Sequence, residues 1–170
     1  GWITDIEFFP EVDSLVFLYD DANGVNQNVV LRSTNFGSTF SQTAEISGNS
    51  NARGHIAVSP DCDSCVFFAS NNGVWTSVDS GMTFALNSVP SQSCRGFAVS
   101  DVDADRMIYG YVDLQASSNG GQSFSDITDW AMSGSNLPNN YVHADLRTIE
   151  CVNGVFYAGT DGFLCKSTDN

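Results

Sequence analysis

The chain has 170 residues, 42% of them hydrophobic, and its 20 acidic residues against 6 basic ones give a net charge of −14. So acidic a surface repels nucleic acids and anionic membranes, whose binding depends on Lys and Arg, and we expect no nucleic-acid partner. No stretch approaches the roughly 20 apolar residues of a membrane span, and five cysteines beside a single lysine favour an oxidising, secreted or extracellular setting.

The first unit of the sequence predicts strands over 3–9, 15–20 and 29–33, because β-branched and aromatic runs alternate with turn residues. The third run leads into an eight-residue segment, Ser-Thr-Asn-Phe-Gly-Ser-Thr-Phe at 33–40, which we call lock 1. Its Ser and Asn side chains can bond the backbone N–H groups of a tight turn, and its Gly supplies a positive φ. Lock 1 is therefore predicted to close a hairpin.

The same succession of strands and lock recurs along the chain. Lock 2 is Ser-Val-Asp-Ser-Gly-Met-Thr-Phe at 77–84, lock 3 is Ser-Ser-Asn-Gly-Gly-Gln-Ser-Phe at 117–124, and a fourth lock opens at 167–170. Their leading serines are 44, 40 and 50 residues apart, which is the size of a four-stranded blade. The predicted structural residues of the locks are Ser33, Asn35, Gly37, Phe40, Ser77, Asp79, Gly81, Phe84, Ser117, Asn119, Gly121, Phe124, Ser167 and Asp169.

The middle units carry cysteines and carboxylates in matching turns. Strands are predicted over 55–59, 65–70, 74–78, 96–100, 106–112 and 114–118. Cys62 and Cys65 are either a turn-clamping disulfide or two inert thiols. Asp101, Asp103 and Asp105 stand at alternate positions, as at the start of a calcium loop, although position six is not Gly and position twelve is not Glu. Calcium is the one cofactor suggested, and a solvated acidic turn is the alternative.

The end of the sequence predicts a long loop and an open edge. Residues 129–141 form the loop, in which Trp130 is a candidate contact for sugar or protein. Strands are predicted over 146–150, 155–159 and 163–167. Because the sequence stops within the fourth lock, we expect the last blade to lack its outer strand and to expose an edge. That edge predicts either a piece of a larger ring or a protomer that a neighbour's strand completes.

The locks resemble the Asp-box of the bacterial neuraminidase repeat, which is shared by sialidases, sortilin-type receptors and oligoxyloglucan-type glycoside hydrolases. The resemblance covers nearly the whole chain and implies an all-β fold of β-propeller blades, each a four-stranded antiparallel sheet. It implies one domain over 1–170, with about four blades at roughly 1–46, 47–90, 91–128 and an incomplete 141–170, within a larger ring or assembly. The Asp-box serves structure in these families, so the function stays open.

Three arginines are candidate ligand residues. Arg53, Arg95 and Arg147 fall at the start of the predicted innermost strand of successive units, where their guanidinium groups could clamp a carboxylate or sulfate. Sialidases bind their acidic sugar through such a cluster. The alternative is that each arginine pairs with a neighbouring carboxylate, and a register shift of one residue would turn Arg147 to the other face.

The fourth unit carries a second resemblance. His143 and Asp145 resemble a His-x-Asp segment that is common in secreted bacterial propellers, and we take both as candidate ligand-binding residues. Arg147 and Phe163 stand where that segment usually has His and Gly. These departures weaken a metal or catalytic interpretation of the segment.

The sequence leans away from an enzyme. A glycosidase requires two carboxylates across a pocket, for which Asp5, Glu7 and Asp145 are the candidates, and the first-blade arginine motif of sialidases is missing. The predicted function is an extracellular binding or assembly module that recognises protein or polysaccharide and contacts further blades or neighbouring subunits. The alternatives are a piece of a secreted glycoside hydrolase, and a filament or surface-layer subunit completed by strand exchange.

Overall fold

Strands and turns make up the whole described part of the protein, which in this computed structural model comprises residues 2–9, 12, 14–22, 27–47, 54–131 and 140–167. None of these residues forms a helix that could cross a membrane. The strands are β1 (Trp2–Phe8), β2 (Val16–Ala22), β3 (Gln27–Ser33), β4 (Ser41–Ser47), β5 (His55–Val58), β6 (Val66–Ser70), β7 (Gly73–Ser77), β8 (Ala85–Ser88), β9 (Gly96–Val99), β10 (Arg106–Gly110), β11 (Leu114–Ser118), β12 (Ser125–Asp126), β13 (Leu146–Val152), β14 (Val155–Thr160) and β15 (Leu164–Lys166).

The strands form four antiparallel sheets, and within each sheet every strand pairs with the next one along the chain. We call these sheets blade 1 (β1–β4), blade 2 (β5–β8), blade 3 (β9–β12) and blade 4 (β13–β15). The first strands of successive blades lie next to one another, so β1, β5, β9 and β13 are the innermost strands. The predicted all-β fold of four-stranded antiparallel sheets is confirmed, with three strands of blade 4 among the described residues.

The hydrophobic core lies between the blades rather than within any one sheet. Every residue of β6 is buried, because neighbouring blades cover both of its faces. Phe68 packs into the cluster between blades 1 and 2, whereas Phe67 packs into the cluster between blades 2 and 3. A third cluster joins blades 3 and 4 around Leu146 and Phe156. Alternate residues of one strand therefore stabilise two different interfaces.

Locks 1, 2 and 3 share one hydrogen-bond pattern. The buried Ser77 Oγ accepts from the backbone N–H of Gly81 at 2.8 Å and donates to Asp79 Oδ1 at 2.7 Å. Asp79 Oδ1 then accepts from the backbone N–H of Thr83 at 2.8 Å. The equivalent bonds of lock 1 and lock 3 measure 2.9–3.0 Å. Asp169, in the fourth lock, lies outside the described residues.

Lock 2 provides a prediction about its acidic residue. The hydroxyl of Thr83 donates to Asp79 at 2.6 Å, and this bond, with the backbone N–H of Thr83, lowers the pKa of Asp79 to about 2. Asn stands at the equivalent place in locks 1 and 3, where its amide donates to a hydroxyl instead. We therefore expect Asp79→Asn to keep the melting temperature near that of the wild type and Asp79→Ala to lower it clearly. Equal melting temperatures for the two variants in thermal denaturation at neutral pH would contradict this role.

The cysteines do not all share one environment. Cys62 and Cys65 form a disulfide across the first turn of blade 2, which is the first of the two predicted alternatives. Cys94, Cys151 and Cys165 are free thiols, and burial raises the pKa of each of them. A thiol with a raised pKa is a weak nucleophile near neutral pH.

Candidate functional site

The four innermost strands enclose a cavity of about 310 Å³. Residues of β1, β5, β9 and β13 all contribute to its wall, which places it where the blades converge. It is lined by Thr4, Asp5, Glu7, His55, Ile56, Ala57, Val58, Gly96, Phe97, Ala98, Val99, Asp101, Arg147, Thr148, Ile149, Glu150 and Cys151.

Carboxylates from opposite ends of the sequence meet in this cavity. Glu7 and Asp5 lie two residues apart on β1, and Glu150 comes from β13. Burial raises the pKa of Glu7 from 4.5 to about 7, and the negative charges of Asp5 and Glu150 add to that rise. The N–H of Phe8, which donates to Glu7 at 3.3 Å, opposes the shift without cancelling it. The cavity therefore holds negative charge that the described residues do not fully compensate.

Asp5 also ties blade 1 to blade 2. Its Oδ1 accepts from the backbone N–H of Ile6, and its Oδ2 accepts from that of Ile56 on β5, both at 2.9 Å. The same Oδ2 lies 3.7 Å from Nδ1 of His55. The other ring nitrogen of His55, Nε2, is buried and has no hydrogen-bond partner among the described residues. His55 is thus oriented by Asp5 on one side and unsatisfied on the other.

Irregular pairing at the start of β1 and β13 shapes one end of the cavity. The register of β1 with β2 shifts between Ile3 and Asp5, and that of β13 with β14 shifts between Leu146 and Thr148. The residue inside each shift, Thr4 or Arg147, lines the cavity. A bulge of this kind re-aims a side chain, and it decides the orientation of Arg147 that the sequence left open.

Arg95 and Arg147 each contact a neighbouring side chain, and both lie close enough to Tyr111 to affect its pKa. Arg147 donates to both carboxylate oxygens of Asp161, which lowers the pKa of Asp161. The guanidinium carbon of Arg95 lies 5.1 Å from the centre of the Tyr111 ring, in cation–π contact. This arrangement corresponds to the local-pairing alternative for Arg147. Arg53, the third predicted member, lies outside the described residues.

The His-x-Asp segment lies next to these pairs. The neighbouring Asp145 carboxylate raises the pKa of Tyr111, through hydrogen bonding and through its negative charge. Asp145 adopts a φ of 67°, a left-handed conformation that is uncommon outside glycine and recurs at binding sites. Asp145 does not line the cavity, so it is separated from Asp5 and Glu7, with which the sequence had grouped it.

Phe163 of blade 4 forms an aromatic cluster with Tyr141 and His143. The Phe163 ring is 44% exposed, and its centre lies 6.1 Å from that of Tyr141 and 6.3 Å from that of His143. His143 also packs against Gly162. Trp130 is exposed, and its backbone N–H donates to Asp113, but it does not line this cavity. Phe163 thus supplies an exposed aromatic ring in blade 4.

The predicted calcium turn has a backbone-capping role. Asp101 accepts from the N–H groups of Asn153 and Gly154, at 2.7 and 2.8 Å, and these bonds lower its pKa. Asp103 accepts from the N–H of Asp105. Within the described ranges, no three His, Cys, Asp or Glu side chains are placed to hold a metal ion. Calcium binding by Asp101, Asp103 and Asp105 stays a prediction.

Glu150 and His55 line the cavity, but they were not among the ligand-binding residues predicted from the sequence. Glu150 lies in a predicted strand, and His55 opens one, but neither stands in a recognisable motif. The usable signal was their place on the first strand of a unit, since the first strands of all units line one cavity. Only the strand order inside the blades shows that these positions face Asp5 and Glu7.

Solved structures with this arrangement are β-propellers, although no family model and no curated protein matches the sequence. An ancestral GH74 enzyme is 21% identical, with a TM-score of 0.71 over 99% of this chain and 23% of that one. The chain folds as β-propeller blades. The GH74 xyloglucanase from Xanthomonas campestris is 19% identical, with a TM-score of 0.67 over 98% of this chain and 29% of its own.

A third propeller neighbour is named for a bound peptide. YCF48 bound to D1 peptide is 12% identical to this propeller segment, with a TM-score of 0.67 over 99% of this chain and 52% of that one. The segment thus spans from about a quarter to half of the length of these neighbours. Identities this low establish the fold alone, so function has to be argued from the site.

Proposed function

We propose that this propeller segment is a binding module that takes a Lys- or Arg-bearing protein segment into the acidic cavity between its innermost strands. The observation that carries the proposal is the cavity on which the Asp5, Glu7 and Glu150 carboxylates converge, where burial and the charges of Asp5 and Glu150 raise the pKa of Glu7 to about 7. A cationic side chain beside these carboxylates would neutralise their negative charge, which is unfavourable in a partly buried cavity. The setting we propose is extracellular, in keeping with the Cys62–Cys65 disulfide.

The size of the cavity supports a side chain as the occupant. At about 310 Å³, it is at the lower end of ligand-pocket volumes, which is room for one long side chain rather than for a stretch of polysaccharide. The exposed Phe163 ring and the charged pairs beside it offer contacts for the backbone that carries this side chain. YCF48 with its D1 peptide provides an example of peptide binding by a neighbour of the same fold.

Binding of a cation should be linked to pH. The cation favours the ionised form of Glu7, so affinity should rise as the pH rises through about 7. We expect a peptide of Gly and Ser with one central Arg to perturb the amide signals of β1 and β13 in NMR titrations. The same peptide with neutral citrulline should bind at least about tenfold more weakly.

Variants at two glutamates test the location of the site. Glu7→Gln should weaken binding of the Arg peptide, whereas Glu45→Gln, the same change on the outermost strand of blade 1, should leave it unchanged. Equal affinity for the Arg and citrulline peptides would refute a cation site. Perturbations confined to residues outside the cavity would refute its location.

Glycoside hydrolysis is a second candidate. A carboxyl group with a pKa near 7 is suited to act as a general acid, and Asp5 and Glu150 supply carboxylates beside Glu7. Structural similarity to GH74 enzymes agrees with this role. Release of reducing ends from xyloglucan by the wild type, and its loss in Glu7→Gln, would establish hydrolysis in place of peptide binding.

We also infer membership of the Asp-box repeat family. Locks 1 to 3 repeat one set of serine and Asx hydrogen bonds, which supports the motif independently of overall sequence similarity.

A further inference from the structure

One ring nitrogen of His55 is a hydrogen-bonding atom without a protein partner. Nε2 is buried, and no described residue bonds to it, although the side chain of His55 lines the cavity between the innermost strands. Among the described side chains, Nδ2 of Asn72 is also buried and unsatisfied, but Asn72 does not line the cavity. An unsatisfied buried polar atom is unfavourable, so a ligand group that bonds Nε2 gains affinity.

The other ring nitrogen of His55 determines which kind of group Nε2 can bond. Nδ1 lies 3.7 Å from Oδ2 of Asp5, and both oxygens of this carboxylate are held in place by backbone N–H groups. A neighbouring carboxylate favours the proton on Nδ1, and the neutral ring then presents a lone pair at Nε2. Nε2 is therefore an acceptor that requires a hydrogen-bond donor.

The acceptor groups of the cavity are distributed over three strands. His55 opens β5 beside Asp5 of β1. Glu7 is two residues further along β1, which places its backbone roughly 7 Å from that of Asp5 on the same face of the strand. Glu150 comes from β13. A ligand that bonds both the imidazole and a carboxylate such as Glu7 must therefore carry donors that point in different directions.

Ammonium and guanidinium groups differ in how far apart their acceptors can be. Two acceptors that bond one ammonium nitrogen lie about 5 Å apart, because each is about 2.9 Å from that nitrogen. A guanidinium group carries five N–H donors in a planar fork, and acceptors on its opposite edges lie further apart. Arginine is therefore better suited than lysine to bond Glu7 and Nε2 of His55 together.

We propose that the cavity prefers arginine to lysine, and that His55 sets this preference by accepting a guanidinium N–H at Nε2. The inference rests on the proposed function, since it states which of two cationic residues the partner segment carries. The carboxylates of Glu7 and Glu150 balance the charge of either cation. The neutral imidazole distinguishes the two by the number and direction of their donors.

Peptides that differ in one residue test this preference. In NMR titrations at about pH 8, where imidazole groups are ordinarily neutral, we expect the Gly and Ser peptide with a central Arg to bind at least about tenfold more tightly than the same peptide with a central Lys. His55→Phe keeps a flat ring without an acceptor and should remove the preference. His55→Gln keeps an acceptor near the position of Nε2 and should retain part of it. Asn72→Ala is the control, because it changes the unsatisfied side chain outside the cavity, and it should keep the full preference.

The imidazole itself provides a measurement that needs no variant. In ¹⁵N NMR of the wild-type side chain, we expect His55 in the free protein to carry its proton on Nδ1 and none on Nε2. The Nε2 signal should shift when the Arg peptide is added and stay in place with the Lys peptide. This result is independent of whether His55→Phe folds.

The outcomes separate this inference from the proposed function. Equal affinity for the Arg and Lys peptides, with the citrulline peptide weaker, would overturn the role of His55 and leave the cation site standing. A preference for Arg that persists in folded His55→Phe, or a proton on Nε2 in the free protein, would also overturn it. If none of the three peptides binds, the proposed function fails and this inference fails with it.

Discussion

Glu7→Gln is expected to raise the free energy of unfolding at about pH 8 by about 1–3 kcal/mol. In the folded protein the carboxyl group must ionise in a half-buried cavity beside Asp5 and Glu150, which raises its pKa from 4.5 to about 7. A tenfold change in an ionisation constant corresponds to about 1.4 kcal/mol, and partial solvent screening of the side chain reduces the full amount. Glutamine carries no charge, so the variant avoids this cost.

The effect has a defined pH window. Because the folded pKa lies above the unfolded value, the favourable contribution of Glu7 is fully present below about 4.5 and is lost as the pH rises through about 7. The wild type should therefore lose stability relative to Glu7→Gln across this interval. Urea denaturation at about pH 4.5, 6 and 8 measures the difference. Asp63→Asn, which removes one charge at an exposed turn of blade 2, is the control and should follow the wild type.

Stability and binding should change in opposite directions at this residue. Glu7→Gln, which is more stable at about pH 8, is expected to lose the preference for the Arg peptide over the citrulline peptide. The negative charge that destabilises the folded protein is the same charge that binds the cation. If Glu7→Gln follows the wild type across the whole pH range, the carboxyl group is not perturbed and the proposed function loses its main support.

Gly81→Ala is expected to lower the free energy of unfolding by about 2–5 kcal/mol. Gly81 in lock 2 has a φ of 80°, which favours glycine, and a Cβ there would overlap the Phe17 ring of blade 1, with Cζ at 3.1 Å and Cε1 closer still. Gly37, at the same place in lock 1, has a similar φ of 76°, but its Cβ would meet the Phe40 ring at an ordinary 3.6 Å. Gly37→Ala should therefore lower the free energy of unfolding only by the cost of a positive φ in alanine, without a steric overlap.

Comparing Gly81→Ala with Gly37→Ala separates two contributions to the free energy of unfolding: the closing of a lock's own hairpin and the contact of a lock with the neighbouring blade. Chemical denaturation of both variants gives the two free energies, and the difference between them reports the contact of lock 2 with blade 1. In a Phe17→Leu background, Gly81→Ala should lower the free energy of unfolding by less than it does in the wild type, because the smaller side chain leaves room for the methyl group. Equal losses at the two glycines would show that lock 2 does not press on blade 1.

The locks, three strands of each blade and the fold class could be predicted from the sequence alone, whereas β4, β8 and β12 were not among the predicted strands. Ser77, Asp79 and Gly81 bond to one another and to Thr83 within one short segment, so their geometry follows from local chemistry and is readable from spacing. The alternation of apolar and polar runs predicted the strands for the same reason.

Which residues meet in the cavity depends on the packing of the blades. Glu7 and Glu150 stand at opposite ends of the sequence, and Arg147 lines the cavity because of a local register shift that no periodicity reveals. Local hydrogen bonds are fixed by short spacing, whereas the charge of the cavity arises from long-range packing.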